Sequence, residues 1–507
     1  MNIRKGKGVR RPVATLAALG LAFAGLAACG SDSSTSSSSS DTVRVVLAAE
    51  PTTLDPIAGA RSGQVVWDTV IEPLVPTDLE LEPTKDGLVT DWERTDDTTW
   101  TFTLREGVTF SNGEPADAEA AVFALTKVRD EPTSILKSFW TNAESFTAPD
   151  ATTLVIKTKA PQYDLVNNLG TIYMIPPKYY AEKGPEGFST APVGTGPYLF
   201  DGQRAGRDMT VVRNPDYWGD AAKTEKIVFS WSSEASQRLA LLRSGSADIA
   251  YDLPPAQQKE AKEADLNVIT TESALKIVGF LQTDKAPFDD ADVAKAAALA
   301  VDRDQIVEGI FQGAAAADGG LLNVKPGEQP DEVVSQDVAQ AKSLMAGRSE
   351  KVTITYPAGQ YVNIEEVAQA VGGQLEAVGF KVKYNAIDYG SLVTQVAGGE
   401  LDGLYIFAAV PNVAVPSFFV NGFVRSASIT KNCGSPELDA MADEAVTAAD
   451  AEAAEEVYDE INRIAVVERN CYIPLYRQVY AIATAKNVSG LVYNPIHASD
   501  FTGVTVG

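Results

Sequence analysis

Two stretches of the chain differ in how apolar and polar residues alternate. In the first stretch, short segments rich in β-branched and aromatic residues lie between turn formers, which is typical of β-strands. Strands are predicted at residues 42–49, 99–105, 152–159 and 226–231. Helices are predicted between them at residues 116–128 and 233–243.

In the second stretch, strand-like and helix-like patterns alternate regularly. Strands are predicted at residues 352–356, 380–387 and 403–407, with helices at 364–377 and 391–397. This βαβαβ order predicts a parallel sheet covered by helices. An Ala- and Glu-rich helical stretch over 436–468 and a strand over 471–483 follow. The chain is therefore predicted to be an α/β protein.

The N-terminus has the pattern of an export signal. Residues 1–11 carry five Lys and Arg and no acid, and residues 13–28 are almost entirely apolar. These 16 apolar residues are fewer than the ~20 that usually span a bilayer. Residues 1–28 are therefore predicted to be a removable signal peptide. The segment LAAC that ends at Cys29 resembles a bacterial lipobox, which implies acylation of Cys29, and the Ser-rich residues 29–40 are predicted to form a flexible tether.

Composition narrows the partners. The 507 residues carry 42 Lys and Arg against 68 Asp and Glu, a formal net charge of −26. Loss of the five signal cations gives a mature charge of about −31. A chain this acidic repels nucleic acid and anionic lipid headgroups, so nucleic acid is not expected as a partner.

Length and cysteine content indicate how the folded part of the chain is organised. About 470 residues follow the tether, more than one hydrophobic core normally organises, so two or more lobes are expected. Cys433 and Cys471 are the two cysteines after Cys29. An even pair in an oxidising compartment predicts a disulfide between them.

Catalytic motifs are scarce. His497 is the single histidine, and no zinc, nucleotide or nucleophile-elbow motif accompanies it. Residues 134–137 match the S-x-x-K pattern of exported acyl enzymes, but the companion S-D-N and K-T-G elements are missing. The sequence therefore predicts no catalytic residues, cofactor or metal site, and an enzyme is not expected.

A series of segments resembles one known family in the right order along the chain. The segments are LDP at residues 54–56, WTFTLREGVTFSNGEP at 100–115, PVGTGPY at 192–198, RNPDYWG at 213–219, APFDD at 286–290 and YIPLY at 472–476. Together they resemble the family 5 extracytoplasmic solute-binding proteins of ABC importers, the dipeptide, oligopeptide and nickel-binding group. Gly194, Gly196 and Pro197 are expected to shape a tight turn rather than to touch ligand.

The resemblance implies a two-lobe periplasmic-binding-protein-like fold of type II, in the large cluster with an extra subdomain in lobe 1. Lobe 1 is expected to comprise residues 41–278 and 480–507, with the subdomain inserted at roughly 77–190, and lobe 2 residues 279–479. Ligand would bind in the cleft between lobes and shift the population towards closure. A monomer is expected, anchored by lipid at the outer face of the cytoplasmic membrane, with an ABC permease and its ATPase subunits as partners.

The resemblance also implies where ligand contacts lie. The first-lobe contact loop corresponds to Ala60, Arg61 and Ser62, where Arg61 is suited to hold a carboxylate or is simply an exposed arginine. The charged anchors of peptide-binding members are missing in lobe 2, which leaves Gln360, Tyr361 and Asn412 as neutral candidates. An oligopeptide or peptide-like solute is the expected ligand. The alternatives are another solute such as an opine, an oligosaccharide or a small organic cation, and a surface lipoprotein enzyme or signalling adaptor without transport.

Overall fold

The computed structural model describes residues 41–58, 63–132, 134–409, 413–496 and 499–507. The strands are β1 Thr42–Leu47, β2 Val89–Asp96, β3 Thr99–Leu104, β4 Ala143–Asp150, β5 Thr153–Thr158, β6 Tyr198–Arg204, β7 Asp208–Arg213, β8 Lys226–Trp231, β9 Ile249–Ala250, β10 Asn267–Leu281, β11 Ala315–Ala317, β12 Lys351–Pro357, β13 Lys381–Ile387, β14 Leu404–Ala409, β15 Tyr472–Thr484, β16 Val488–Ser489, β17 Val492–Tyr493, β18 Ser499–Asp500 and β19 Thr505–Val506.

Helices cover the sheets and connect the strands. The α-helices are α1 Gln64–Trp67, α2 Ala118–Asp130, α3 Leu165–Asn168, α4 Pro177–Thr190, α5 Ala235–Arg243, α6 Pro255–Glu263, α7 Ala291–Ala300, α8 Arg303–Ile306, α9 Val338–Met345, α10 Ile364–Val378, α11 Tyr389–Gly398, α12 Pro416–Phe419, α13 Pro436–Val446 and α14 Ala451–Asn462. Shorter 3₁₀ segments lie at Pro56–Ala58, Ile135–Trp140 and Leu169–Thr171, and π-helical segments at Val307–Phe311, Val420–Val424 and Arg463–Glu468.

An eleven-stranded sheet runs through the described chain in the order β13-β12-β14-β10-β15-β9-β1-β8-β7-β6, with β11 added beside β15. Strand β12 pairs in parallel with both β13 and β14, so the predicted βαβαβ unit is confirmed. All six residues of β14 are buried, as expected for the inner strand of a parallel sheet covered on both faces. At the other end, β1 is parallel to β8 and β9.

Two long antiparallel strands, β10 and β15, join the two ends of this sheet. Residues 267–272 of β10 pair with residues 479–484 of β15 beside β9, whereas residues 276–281 pair with β14 on their other side. The pairing register shifts between Glu272 and Lys276. The chain therefore passes twice, side by side, from one part of the sheet to the other.

A separate four-stranded sheet has the order β2-β3-β5-β4 and is antiparallel throughout. Helix α2 covers it with an apolar face that includes Ala121, Leu125 and Val128, all of them buried. Asp117 caps this helix by accepting a hydrogen bond from Ala120 N at 3.1 Å.

Three of the differences from the sequence prediction have an identifiable local cause. The helical stretch predicted over 436–468 is interrupted, because Asp450 caps α14 by accepting from Ala453 N at 3.0 Å. Helix α4 was not predicted, since it carries Gly184 at φ 68° followed by Pro185, two residues that normally end helices. Strand β10 was also not predicted: its polar first half and apolar second half suit two different environments rather than one alternating face.

The structure shows the disulfide, and it shows whether any described helix could span a membrane. Cys433 and Cys471 form a disulfide with their Cα atoms 5.6 Å apart, beside the buried aromatic group around Phe280 and Tyr472. Within the described ranges, no helix is both long and apolar enough to cross a bilayer.

Candidate functional site

A cavity of about 450 Å³, called here the first cavity, lies among segments that are distant in sequence. Its walls include residues from the ranges 64–87, 170–173, 197–218 and 492–502, together with Pro56, Leu136, Val413 and Ala414. Six aromatic residues and five carboxylates line it, and the described lining contains no Lys or Arg. The aromatic residues are Trp67, Tyr173, Tyr198, Tyr217, Trp218 and Phe501, and the acids are Asp68, Glu72, Asp78, Asp86 and Asp500. Apolar walls with a few fixed polar groups are typical of sites for small ligands.

Asp68 and its neighbours form one polar edge of the first cavity. The Tyr173 hydroxyl donates to Asp68 Oδ1 at 2.8 Å, and Trp67 packs edge-on against the Tyr173 ring with centroids 5.8 Å apart. Gln64 Nε2 donates to the same hydroxyl at 3.5 Å. These contacts hold the carboxylate and both rings in fixed orientations, as selective binding requires.

Glu72 forms the second polar edge, four residues further along the chain. Tyr217 donates to Oε1 at 2.7 Å and Trp218 Nε1 donates to Oε2 at 2.8 Å. Burial raises the pKa of Glu72, and the hydrogen bonds that it accepts oppose this rise. The Arg105 guanidinium stacks 4.5 Å from the Trp218 ring centroid. Glu72 thereby anchors the RNPDYWG segment to the cavity wall.

Two glycines let the neighbouring loop approach that wall closely. A Cβ on Gly194 would lie 2.1 Å from Val70 O, and one on Gly196 would lie 2.7 Å from Val70 C. Gly196 N and Tyr198 N donate to Val70 O and Thr69 O, both at 2.9 Å. The glycines of this motif therefore serve close backbone packing, which is a different reason for glycine than the tight turn that was expected.

A buried group of charges, called here the crossing-strand cluster, consists of Lys276, Asp318 and Arg477. Lys276 of β10 and Arg477 of β15 are register partners, and both contact Asp318 Oδ2, at 3.0 and 2.8 Å. Their side chains are at most 1% exposed. Lys276 Nζ also donates to Gly320 O at 2.9 Å, and Glu272 lies 3.5 Å from Arg477 Nε. Burial lowers the pKa of Lys276 to about 8, and the charge of Asp318 opposes this.

Most of the predicted ligand residues cannot be placed. Ala60, Arg61 and Ser62 lie outside the described residues, as do Asn412, His497 and Cys29. Gln64, which follows residues 60–62 closely, and Val413, which directly follows Asn412, both line the first cavity.

Gln360 and Tyr361 lie elsewhere. Gln360 is an exposed turn residue after β12. The Tyr361 hydroxyl accepts from Ala408 N at 3.2 Å, and its ring packs against Tyr389, which stacks on Phe407. Neither residue lines the first cavity. Sequence reasoning missed Asp68 and Glu72, although two acids four residues apart within a buried segment are a usable signal.

The S-x-x-K match has a structural explanation. Ser134 is buried, and its Oγ donates to Ile57 O at 2.7 Å and accepts from Leu136 N at 3.3 Å. The hydroxyl thus caps the 3₁₀ segment that follows it.

Comparison with known proteins identifies the family. The family described as bacterial extracellular solute-binding proteins, family 5 (middle), matches residues 84–431, and this chain belongs to it. The relatives include a probable di/tripeptide-binding protein 5 of Pseudomonas aeruginosa, which is 26% identical over 478 residues, covering 87% of this chain and 90% of that protein. The family prediction is therefore confirmed.

Solved structures agree on the fold. The substrate-binding protein CtaP of Listeria monocytogenes matches with a TM-score of 0.82 at 18% identity, over 92% of this chain and 99% of its own. NikA of Brucella suis, crystallised with Fe(III)-EDTA, matches with a TM-score of 0.82 at 21% identity, over 92% of this chain and all of its own, 100%. The chain has the two-lobe fold of type II periplasmic binding proteins and is an extracytoplasmic substrate-binding protein of the ABC transporter kind.

Proposed function

We propose that this protein captures a peptide or peptide-like solute in the first cavity and delivers it to an ABC permease without catalysis. The observation that carries the proposal is the first cavity itself. Backbone segments from both ends of the chain meet there, with hydroxyl, indole and carboxylate groups fixed between aromatic walls. The Pseudomonas relative is named a probable di/tripeptide-binding protein, and this name supports a peptide as ligand.

The lobe boundaries are part of the same proposal. Lobe 1 would comprise residues 41–278 and 480–507, with residues 77–190 as the inserted subdomain, and lobe 2 residues 279–479. The paired crossing of β10 and β15 and the separate sheet β2-β3-β5-β4 support this division. With these bounds, Val413 and Ala414 come from lobe 2 and the rest of the first cavity from lobe 1. Ligand would then hold the lobes together by touching both.

A fluorescence titration tests the site. Trp67 lines the first cavity, so a library of di- and tripeptides should include members that change the tryptophan emission of the wild type. Trp67→Phe combined with Trp218→Phe should lose most of that change, because both indoles line the first cavity, whereas Trp92→Phe, in the separate sheet, should keep it. A binding signal that survives the double change would mean that the ligand binds elsewhere, and no response to any peptide by calorimetry would reject the peptide class.

One alternative solute has support from the cavity walls. Carboxylates and aromatic faces together suit a small organic cation, since cations bind to both. Native mass spectrometry of protein purified from its own host separates the two: a co-purified peptide mass supports the first proposal, and the mass of an amine supports the alternative.

The anchor remains a further part of the proposal. Acylation of Cys29, with the tether up to residue 40, would hold the protein, which we expect to be a monomer, beside its permease at the outer face of the cytoplasmic membrane. In a bacterial host, Cys29→Ser should move the processed protein from the membrane to the soluble fraction. Processed protein that stays in the membrane would contradict the anchor.

A further inference from the structure

A second cavity, of about 560 Å³, lies beside the first. It is bounded on one side by Glu82, Arg94 and Trp100 and on the other by residues 322–331 and helix α14. Ala414 lines both cavities, so the segment that begins there is the partition between them. The two cavities therefore adjoin at Ala414.

Carboxylates outnumber cations around the second cavity. Six acids line it: Glu82, Glu328, Asp331, Asp450, Glu455 and Asp459. The two cations already have partners, because Lys325 pairs with Glu82 and Arg94 donates to Ala449 O at 3.2 Å and to Asp97 O at 3.1 Å.

Three of these acids line the cavity from different segments: Asp331 and Asp459 are exposed and Glu328 is half-buried. Burial and the charges of Asp331 and Glu328 raise the pKa of Asp459. Among the described residues, Asp331 and Asp459 form no ion pair that would offset this repulsion. Like charges that converge on a cavity destabilise the empty protein and attract a cation.

A buried hydroxyl gives independent support for a ligand here. Tyr458 lines the second cavity and is 2% exposed. Its hydroxyl approaches that of Tyr163 but forms no hydrogen bond of normal geometry with any described residue. A buried hydroxyl without a partner is unfavourable, so a polar ligand atom at this position would stabilise the site.

We propose that the second cavity binds the positively charged end of the solute, an ammonium or guanidinium group on an extended peptide side chain or on a polyamine. The carboxylates supply the charge, and the half-buried rings of Trp100 and Tyr163 supply faces on which a cation can rest. No three of the described His, Cys, Asp and Glu side chains are arranged to hold one metal ion, which favours an organic cation. The proposal rests on the solute-binding function above.

Calorimetry with matched probes tests the proposal. The probes are Ala-Lys-Ala, its neutral analogue Ala-norleucine-Ala, and spermidine. Wild type should bind the lysine peptide at least about tenfold more tightly than the neutral one, since each charge-assisted contact is worth about a tenfold change or more. Asp331→Asn with Asp459→Asn should abolish that preference and weaken spermidine binding about tenfold.

A matched control changes the same total charge at two exposed positions of α14, the helix that carries Asp459. Glu452 and Glu456 are exposed residues of α14 that do not line the second cavity. Glu452→Gln with Glu456→Gln should keep the lysine preference. Tyr458→Phe should weaken the lysine peptide while leaving the neutral peptide unchanged.

The outcomes separate this site from the function on which it rests. If neither peptide binds but spermidine does, and the Asp331 and Asp459 changes weaken it, the peptide class is wrong and the cation site stands. Equal affinity of wild type for the two peptides would overturn the site while leaving peptide binding intact. An equal loss in the Glu452 and Glu456 control would also overturn it, because the effect would then come from net charge.

Discussion

The crossing-strand cluster and the second cavity differ in whether their charged side chains are paired with opposite charges. In the cluster, Lys276 and Arg477 share one carboxylate, and neighbouring carbonyls accept their remaining donors. In the second cavity, carboxylates face each other and Tyr458 has an unused hydroxyl. Charges that pair with each other inside the protein are costly to separate. Carboxylates that have no cation beside them are available to a cationic ligand.

The comparison assigns different roles to the two regions. The cluster sits where β10 and β15 pass between the two parts of the sheet, so it fixes the geometry of the crossing. The second cavity adjoins the first cavity at Ala414. Changes in the cluster should therefore alter stability first, and changes in the second cavity should alter ligand preference first.

Asp318→Asn should have the largest effect. It leaves two cations that are at most 1% exposed without their shared carboxylate, and breaking a buried pair in this way costs about 3–5 kcal/mol. Urea unfolding measures the loss. Asp91→Asn, which removes the acid of an exposed pair with Lys85, is the control and should cost less than about 1 kcal/mol. Equal losses would mean that burial of the cluster contributes nothing.

Lys276→Met should change how stability depends on pH. The folded pKa of Lys276, about 8, lies below the unfolded value of about 10.4, so the unfolded state binds more protons between these values. Wild-type stability should therefore gain up to about 1.4 kcal/mol per pH unit from this lysine as the pH rises above 8. The methionine variant should lack that gain.

Urea unfolding of both proteins at pH 7, 8 and 9 measures this difference. Lys342→Met, at an exposed position of α9, should run parallel to wild type. A Lys276→Met curve that is also parallel to wild type would show that the folded lysine titrates normally.

Asp459→Asn should have the smallest effect and the opposite sign. It removes one of the carboxylates that repel each other, so the ligand-free protein should gain about 0.5 kcal/mol at low salt and almost nothing at 1 M salt. Thermal unfolding at the two salt concentrations measures this. Glu456→Gln on the same helix is the control. A loss of stability in Asp459→Asn would mean that the carboxylate has a structural partner.

Local sequence patterns predicted a strand or helix correctly where the surroundings of that element are the same along its whole length. Strand β8 and the unit from β12 to β14 were predicted closely, because their residues face one kind of surrounding along their length. The crossing strand β10 was missed because its two halves belong to different parts of the sheet. Helix α4 was missed because tertiary packing tolerates Gly184 and Pro185.

The candidate sites were less accessible to sequence reasoning. Tyr361, a predicted ligand residue, packs on Tyr389 beside the end of β14, and its role at a ligand stays a prediction. Asp459 carries no recognisable motif, and the spacing of Asp68 and Glu72 indicates a polar site without showing what it faces. Which distant segments these acids meet is not encoded by local spacing.

The sequence by itself determined the class of this protein, the alternation of strands and helices and the pairing of its two late cysteines. Each of these follows from residues that are near in the chain, from an ordered series of motifs or from a simple count. Only the tertiary structure decided where charge is satisfied and where it is left open. The reason is physical: whether a carboxylate is neutralised depends on the burial and charge of neighbours that are distant in the chain, as in the contact of Arg477 with Asp318, 159 residues apart.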